Sequence, residues 1–187
     1  AKYLTNLGKD SMKKDELNKS MQYLSKANGY DSDYPAANFY IGNLYMKIQD
    51  YELAIESYRK GLGSKIKTGN YKILYLLASS YQRLGNLDKA KEFFEYSLNN
   101  KTSYTKARFA LANVLYSQQN YDESKQYLLE IIENESSYIK AYELLVNLFS
   151  DTKDYNQARE YSARGIDVNP KSYFLYSQLA FLDNERQ

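Results

Sequence analysis

Residues 71–97 read YKILYLLASSYQRLGNLDKAKEFFEYS, and this stretch decides the fold. Its first half places apolar residues at i, i+3, i+4 and i+7, the spacing of one helix face: Leu74, Leu77, Ala78 and Tyr81. Gly85-Asn86 then breaks the pattern, and a second stripe runs from Ala90 through Phe94 to Ser97. The stretch therefore predicts two amphipathic helices joined by a short turn.

The same unit recurs along the chain. The small residue of each first helix returns at spacings of 34, 36, 34, 34 and 34 residues: Gly8, Gly42, Ala78, Ala112, Val146 and Ala180. Nine residues further on lies a column of large residues: Leu17, Tyr51, Leu87, Tyr121 and Tyr155. Two more columns of mostly small residues follow, twelve and nineteen residues on: Ser20, Ala54, Ala90, Ser124, Ala158; and Ala27, Gly61, Ser97, Ile131, Gly165. Small residues let two helices cross closely while large ones fill the gaps beside them, so we predict five helix pairs.

This period, with its framework of small and aromatic residues, resembles the tetratricopeptide repeat family. The resemblance implies an all-α fold, a right-handed superhelical solenoid of about five helix-turn-helix repeats plus a terminal helix. It covers the chain as one domain, 1–187, with these expected parts: repeats 1–34, 35–70, 71–104, 105–138 and 139–172, and a terminal or capping helix 173–187. Three departures stand out: Asn38 and Arg108 replace a bulky residue of the first helix, and the basic loop 63–70 adds two residues to the second copy.

The composition excludes most familiar enzymes. The chain has no His and no Cys, so it lacks the bases, thiols and soft ligands of common catalytic triads and zinc sites. The glycine-rich stretch 61–69 follows no predicted strand and is interpreted as a loop between helices. Asp31-Ser-Asp33 is expected to cap the helix that begins near Pro35. We find no catalytic, cofactor-binding or metal-binding candidate, and the resemblance implies a non-enzymatic scaffold.

Charge and hydropathy narrow the partner class. The net charge of +2 gives no strong electrostatic argument for nucleic acid, and the 34-residue spacing disagrees with the 35-residue repeats that read RNA. The longest apolar run, residues 73–78, is too short to cross a bilayer, so no membrane insertion is expected within this segment. The first residue is not Met, which predicts a piece of a longer chain. No targeting segment is present, and cytoplasmic and periplasmic locations stay open.

The first helices of such a solenoid are expected to line its concave face. In the repeat register, three columns and one further cation lie on that face: Lys72, Lys106, Lys140; Phe39, Tyr75, Phe109; Asn43, Asn113, Asn147; and Arg83. An Asn amide both donates and accepts hydrogen bonds, so the Asn row is suited to the backbone of an extended peptide. The aromatic rings would bury apolar groups, and the cations would favour an acidic segment or a C-terminal carboxylate.

These columns predict a protein–protein interaction adaptor that binds a partner peptide or protein segment, of acidic character, in the concave groove. The alternatives are an oligomerisation module and a regulatory segment of a larger protein, so both a monomer and a weak homo-oligomer stay open. Family members that bind chaperone C-termini use a two-carboxylate clamp. Here only Asn43 and Lys106 match that clamp, because Phe39, Leu76 and Ala110 occupy its other places. The clamp function is therefore not expected.

Overall fold

The computed structural model describes residues 1–184, which form eleven α-helices and no strand. In chain order the helices are α1 Lys2–Lys13, α2 Leu17–Tyr30, α3 Pro35–Lys47, α4 Tyr51–Leu62, α5 Tyr71–Arg83, α6 Leu87–Asn100, α7 Thr105–Ser117, α8 Tyr121–Asn134, α9 Ile139–Asp151, α10 Tyr155–Val168 and α11 Tyr173–Asn184. The prediction of an all-α helical repeat solenoid is confirmed. The last three residues of the predicted terminal helix, 185–187, lie outside the described part of the chain.

The helices form two compact units, one ending at Tyr104 and the other beginning at Thr105. In the first unit each of α1–α5 packs on the next helix, and α1 also contacts α3. In the second unit α7–α11 pack in the same sequential way, with additional α7–α9 and α9–α11 contacts. The first helices begin at residues 2, 35, 71, 105 and 139, from which we infer the repeat boundaries expected above. Within residues 1–184, no helix combines the length and the apolar character that a bilayer crossing requires.

The small columns lie where the two helices of a pair come closest. A Cβ added to Gly42 would lie 2.5 Å from Cε1 of Tyr58, a ring with 0% exposure. Added to Gly8 or Gly165, it would lie 2.6 Å from a Leu side chain of a neighbouring helix. These distances are far below van der Waals contact, so the packing of these helices depends on the missing side chain.

Serine at the same crossings also satisfies a backbone carbonyl. The Ser20 hydroxyl donates to the Gly8 carbonyl at 2.7 Å, and the Ser124 hydroxyl donates to the Ala112 carbonyl at 2.8 Å. Both serines are fully buried, and each bond joins the two helices of its repeat. A buried hydroxyl without a partner would destabilise the fold, so these bonds explain how a polar residue substitutes for Ala in the column.

Every turn within a helix pair uses one residue in the left-handed region. These residues stand at equivalent positions of the five repeats: Asp15, Gln49, Gly85, Gln119 and Lys153, with φ between 61° and 77°. Only one of them is Gly, so four repeats tolerate the strain of a side chain there. The following residue caps the second helix in three repeats, where Asp50, Asn86 and Asp154 each accept a backbone N–H bond. The left-handed turn is therefore a feature that all five repeats share.

The departures from the family pattern are polar residues with partners. Asn38 is 1% exposed and donates to the Ser32 carbonyl at 2.8 Å. Arg108 forms an ion pair with Glu130 at 3.0 Å, bridging α7 and α8.

The capping prediction for Asp31-Ser-Asp33 is wrong: α3 has no side-chain cap at its first turn. Asp31 instead accepts the N–H of Asp33 and closes a local turn, because the segment ends one residue before the N-cap.

The terminal helix α11 packs on α9 and α10 through one face. Leu175 and Leu182 are fully buried, and Asp183 pairs with Arg159 of α10 at 3.3 Å. Its other side exposes three aromatic residues: Tyr173, Tyr176 and Phe181. The described part of the helix thus exposes aromatic residues together with Ser177 and Asp183, and its role as a cap stays a prediction.

Two glycine substitutions test the close crossing. Gly42→Ala should lower the free energy of unfolding by about 1–3 kcal/mol, because the new methyl overlaps the buried Tyr58 ring. Gly29→Ala is the matched control, since nothing lies within 4 Å of its added Cβ in α2 and Ala gains helix propensity of up to about 1 kcal/mol. Urea unfolding followed by circular dichroism measures both. Equal stability of the two variants would contradict the close-packed crossing.

Candidate functional site

The ten residues predicted to bind a partner all lie on first helices. The first unit holds five of them, on α3 and α5: Phe39, Asn43, Lys72, Tyr75 and Arg83. The second unit holds the other five, on α7 and α9: Lys106, Phe109, Asn113, Lys140 and Asn147. The four cations are exposed, whereas the Asn and aromatic residues are half-buried.

In the second unit, four of these residues converge on one cavity of about 240 Å³. The predicted members are Phe109, Asn113, Lys140 and Asn147, and the other lining residues are Glu143, Leu144 and Phe174. The side chains come from α7, α9 and α11, the three first helices of this unit. Direct α7–α9 and α9–α11 contacts bring these columns side by side, because neighbouring first helices stack on one another.

This cavity combines apolar, amide and charged groups. The Phe109 ring packs 5.4 Å from the Tyr138 ring and, with Leu144 and Phe174, gives an apolar surface. Asn147 and Lys140 add hydrogen-bond donors beside it. Such a mixture is suited to an extended peptide, whose backbone needs donors and acceptors and whose side chains need apolar contact.

The sequence prediction omitted Glu143 and Phe174, which line this cavity, and included Lys106, which does not. Glu143 accepts from the Ser172 hydroxyl at 3.3 Å, so the cavity carries both signs of charge rather than a Lys stripe alone. Glu143 stands in the column of Phe109, and Phe174 stands in the column of Lys140, so the repeat register contained the signal. Lys106 is exposed at the first turn of α7 and does not line this cavity.

Asn43 in the first unit has a structural role. The Tyr58 hydroxyl donates to its side-chain oxygen at 2.7 Å, and the Tyr58 ring is fully buried. Burial raises the pKa of the Tyr58 hydroxyl, because the low-dielectric interior disfavours the phenolate. Asn43 therefore gives a buried hydroxyl its acceptor, and the Asn row is not a set of equivalent residues.

The aromatic residues of the first unit also pack internally. The Phe39 ring lies 5.0 Å from Tyr40 and 6.4 Å from Tyr58. The Tyr75 ring lies 5.7 Å from Phe94, and Tyr104 packs edge-on against it at 5.4 Å. Neighbouring aromatic residues cover one side of each ring, so both residues are half-buried. Only a minor part of each ring is therefore left to a partner.

A larger cavity, of about 830 Å³, lies between α3, α4 and α5 of the first unit. Phe39 and Lys72 line it, whereas Asn43, Tyr75 and Arg83 do not. The remaining lining comes mainly from the end of α4 and from the loop 63–70. The first unit thus brings together only two of its five predicted residues.

Comparison with protein-family models gives matches over most of the chain. A tetratricopeptide repeat model matches residues 36–65, 71–100 and 139–172. A second model, also described as a tetratricopeptide repeat, matches residues 110–133. A search of curated protein sequences finds no significant match.

Solved structures with the same fold are numerous. The tetratricopeptide repeat protein YrrB, described as having an unusual peptide-binding site, has a TM-score of 0.82 at 20% identity over 93% of this chain and 89% of its own. A tetratricopeptide repeat protein from Parabacteroides merdae reaches 0.85 at 22% identity over 97% of this chain and 71% of its own. Pseudomonas aeruginosa pilF reaches 0.78 at 18% identity over 97% and 80%. At these identities the likeness is one of fold.

The different roles of the Asn residues can be measured by stability. Asn43→Ala should lower the free energy of unfolding by about 1–3 kcal/mol, because the buried Tyr58 hydroxyl loses its acceptor. Asn147→Ala should change it by no more than about 0.5 kcal/mol, as is usual for partly exposed positions. Urea unfolding at neutral pH measures both variants. A cost as large for Asn147 as for Asn43 would show that the whole Asn row is structural.

Proposed function

Because this chain belongs to the tetratricopeptide repeat family, as its repeat columns predicted, we propose that it is a non-enzymatic scaffold whose first-helix faces bind a peptide or protein segment. Proteins of this fold generally serve protein–protein interaction. The peptide-binding site described for YrrB belongs to that protein, and it supports peptide binding here through the shared fold alone.

The cavity of the second unit carries this proposal. It combines Phe109, Asn113, Lys140 and Asn147 on adjacent first helices. Its apolar residues and amide groups suit an extended segment. Its small volume accommodates one side chain rather than a cofactor. The partner segment is therefore expected to lie across α7 and α9 with one side chain inserted.

An acidic character of the partner is supported by the exposed cations. Lys72 and Arg83 on the first unit, and Lys106 and Lys140 on the second, are all solvent-exposed. Exposed cations steer acidic segments and raise the rate of association. The small net charge of +2 argues against nucleic acid as the partner.

A non-enzymatic role is supported by the available side chains. The sequence has no His or Cys, and within residues 1–184 no three acidic residues are grouped to hold a metal ion. Burial among packed residues is the main cause of the raised pKa of Tyr58 and of Tyr104. Their neutral form is stabilised, which is the opposite of what a nucleophile or base needs.

A second candidate function is self-association through α11. Tyr173 is 91% exposed, and Tyr176 and Phe181 are about half exposed on the same helix. Three large aromatic side chains exposed on one short helix form an apolar surface that favours contact with another protein, and a second copy of this chain is one such protein. This observation keeps the oligomerisation module as an alternative.

Peptides selected from a random display library on the immobilised chain test the scaffold proposal. Lys140→Glu and Asn147→Ala should each weaken the selected acidic peptides about tenfold, because each removes one direct contact of the cavity. Fluorescence polarisation at low ionic strength measures the dissociation constants.

Matched changes on the neighbouring second helix α8 serve as controls. Lys125→Glu reverses a charge and Gln126→Ala removes an amide, both on a helix that contributes nothing to the cavity. Their effect should stay below about twofold, since a distant charge acts only through screened electrostatics. Selected peptides that bind all four variants equally would rule out this cavity as the binding site.

Light scattering over a dilution series separates the two candidate functions. A scaffold of the proposed kind should keep the mass of one 187-residue chain at all concentrations. Self-association through α11 should give a concentration-dependent mass that Tyr176→Glu returns to the monomer, because a charge would be placed in the apolar contact. A dimer unaffected by Tyr176→Glu would exclude α11 as its interface.

A further inference from the structure

The two extra residues between α4 and α5 lie in a loop that borders the large cavity of the first unit. Neighbouring first helices are in direct contact at α1–α3, α7–α9 and α9–α11. The pair α3 and α5 makes a smaller contact, through the Ser80 hydroxyl of α5, which donates to the Met46 sulfur of α3 at 2.9 Å, and the large cavity lies beside this pair. This is the one interval of 36 residues between small-column positions, so the insertion and the cavity occur at the same place.

The inserted loop 63–70 has a defined conformation, held by hydrogen bonds and close packing. Gly63 ends α4 in the left-handed region with φ of 53°, and the Lys65 N–H then donates to the Leu62 carbonyl at 3.0 Å. Gly69 packs so closely that an added Cβ would lie 2.4 Å from the Leu62 side chain. The Asn100 amide of α6 donates to the Lys67 carbonyl at 2.9 Å and ties the loop to the next helix. The cavity is therefore preformed.

The lining of the cavity contains both apolar and basic residues. Its apolar residues are Pro35, Ala36, Phe39, Leu62 and Ile73. Three lysines and one acid complete the charged lining: Lys60, Lys65, Lys72 and Asp33. All three lysines are exposed, and Lys60 already pairs with Glu56 at 2.7 Å. A volume of about 830 Å³ falls in the range of sites that enclose a whole ligand group.

We propose that this cavity binds a bulky apolar side chain of an acidic peptide segment, with carboxylates of the segment placed against Lys65 and Lys72. The proposal rests on the scaffold function and names the chemistry of the partner. Phe39 and Lys72 line the cavity and also belong to the first-helix columns, so a segment lying on that face of the first unit reaches it. Burial of the side chain supplies affinity, and the lysines select for negative charge.

A defined peptide serves as the probe. The nonapeptide Gly-Glu-Glu-Gly-Phe-Gly-Glu-Glu-Gly, acetylated and amidated, is titrated into the ¹⁵N-labelled full chain and followed by amide chemical shifts. We expect shifts to concentrate at Gly63, Ser64 and Gly69, the backbone that lines the cavity. Replacing Phe by Ala, or all Glu by Lys, should weaken binding at least tenfold, because each change removes one of the two recognised features.

Two variants and one matched control locate the site. Ala36→Trp fills the cavity and should abolish these shifts, while Lys65→Glu on the exposed loop should weaken binding about tenfold. Lys67→Glu is the control: it changes the same charge in the same loop, but Lys67 does not line the cavity. Its effect should stay below about threefold.

Several outcomes would overturn the proposal. One is equal weakening by Lys65→Glu and Lys67→Glu, which would mean that only loop charge matters. Equal binding of the Phe and Ala peptides would show that the cavity does not recognise an apolar side chain. N-acetylphenylalaninate binding as tightly as the peptide would show that the ligand is a small carboxylate. The scaffold proposal is tested separately, by Lys140→Glu and Asn147→Ala on selected peptides. Either proposal can therefore fail while the other holds.

Discussion

The close crossing of the helices within a repeat is the constraint on which the rest of this structure depends. At Gly42 the backbone of α3 touches the ring of Tyr58 on α4, with no room for a methyl group. Tyr58 in turn reaches across the pair and donates its hydroxyl to Asn43. One missing side chain thus allows a large aromatic residue to be buried and its polar atom to be satisfied in the same step.

The turn between the two helices maintains this crossing in every repeat. A left-handed residue stands at the same position in all five pairs, and four of the five carry a side chain there. A non-glycine residue in this region costs about 1–2 kcal/mol, so the packing of the helix pair must outweigh it. The cost is tolerated because a fixed turn sets the relative rotation of the two helices. That rotation decides which side chains pack between the helices and which remain on the first-helix face.

The first-helix face consequently has two kinds of residue. Asn43, Phe39 and Tyr75 are engaged with Tyr58, Phe94 or other aromatic rings, and so contribute to stability as well as to the surface. Asn147 and Lys140 line an open cavity and are available to a ligand. The two classes occupy the same columns of the repeat, because a repeat position specifies a direction from the helix but not the neighbours found there.

The sequence by itself determined the helices, their pairing and the repeat period, because these depend on local spacing: apolar residues at helical intervals, small residues at Gly42 or Ala78, and turn residues such as Gly85. It also identified the loop 63–70 as an insertion. Only the tertiary structure decided what these features do. Which Asn accepts a buried hydroxyl, and whether an insertion opens a cavity, depend on distances between helices that no column of residues encodes. The loop that contains the two extra residues lines the cavity together with α3, α4 and α5, and only the folded chain brings these segments together.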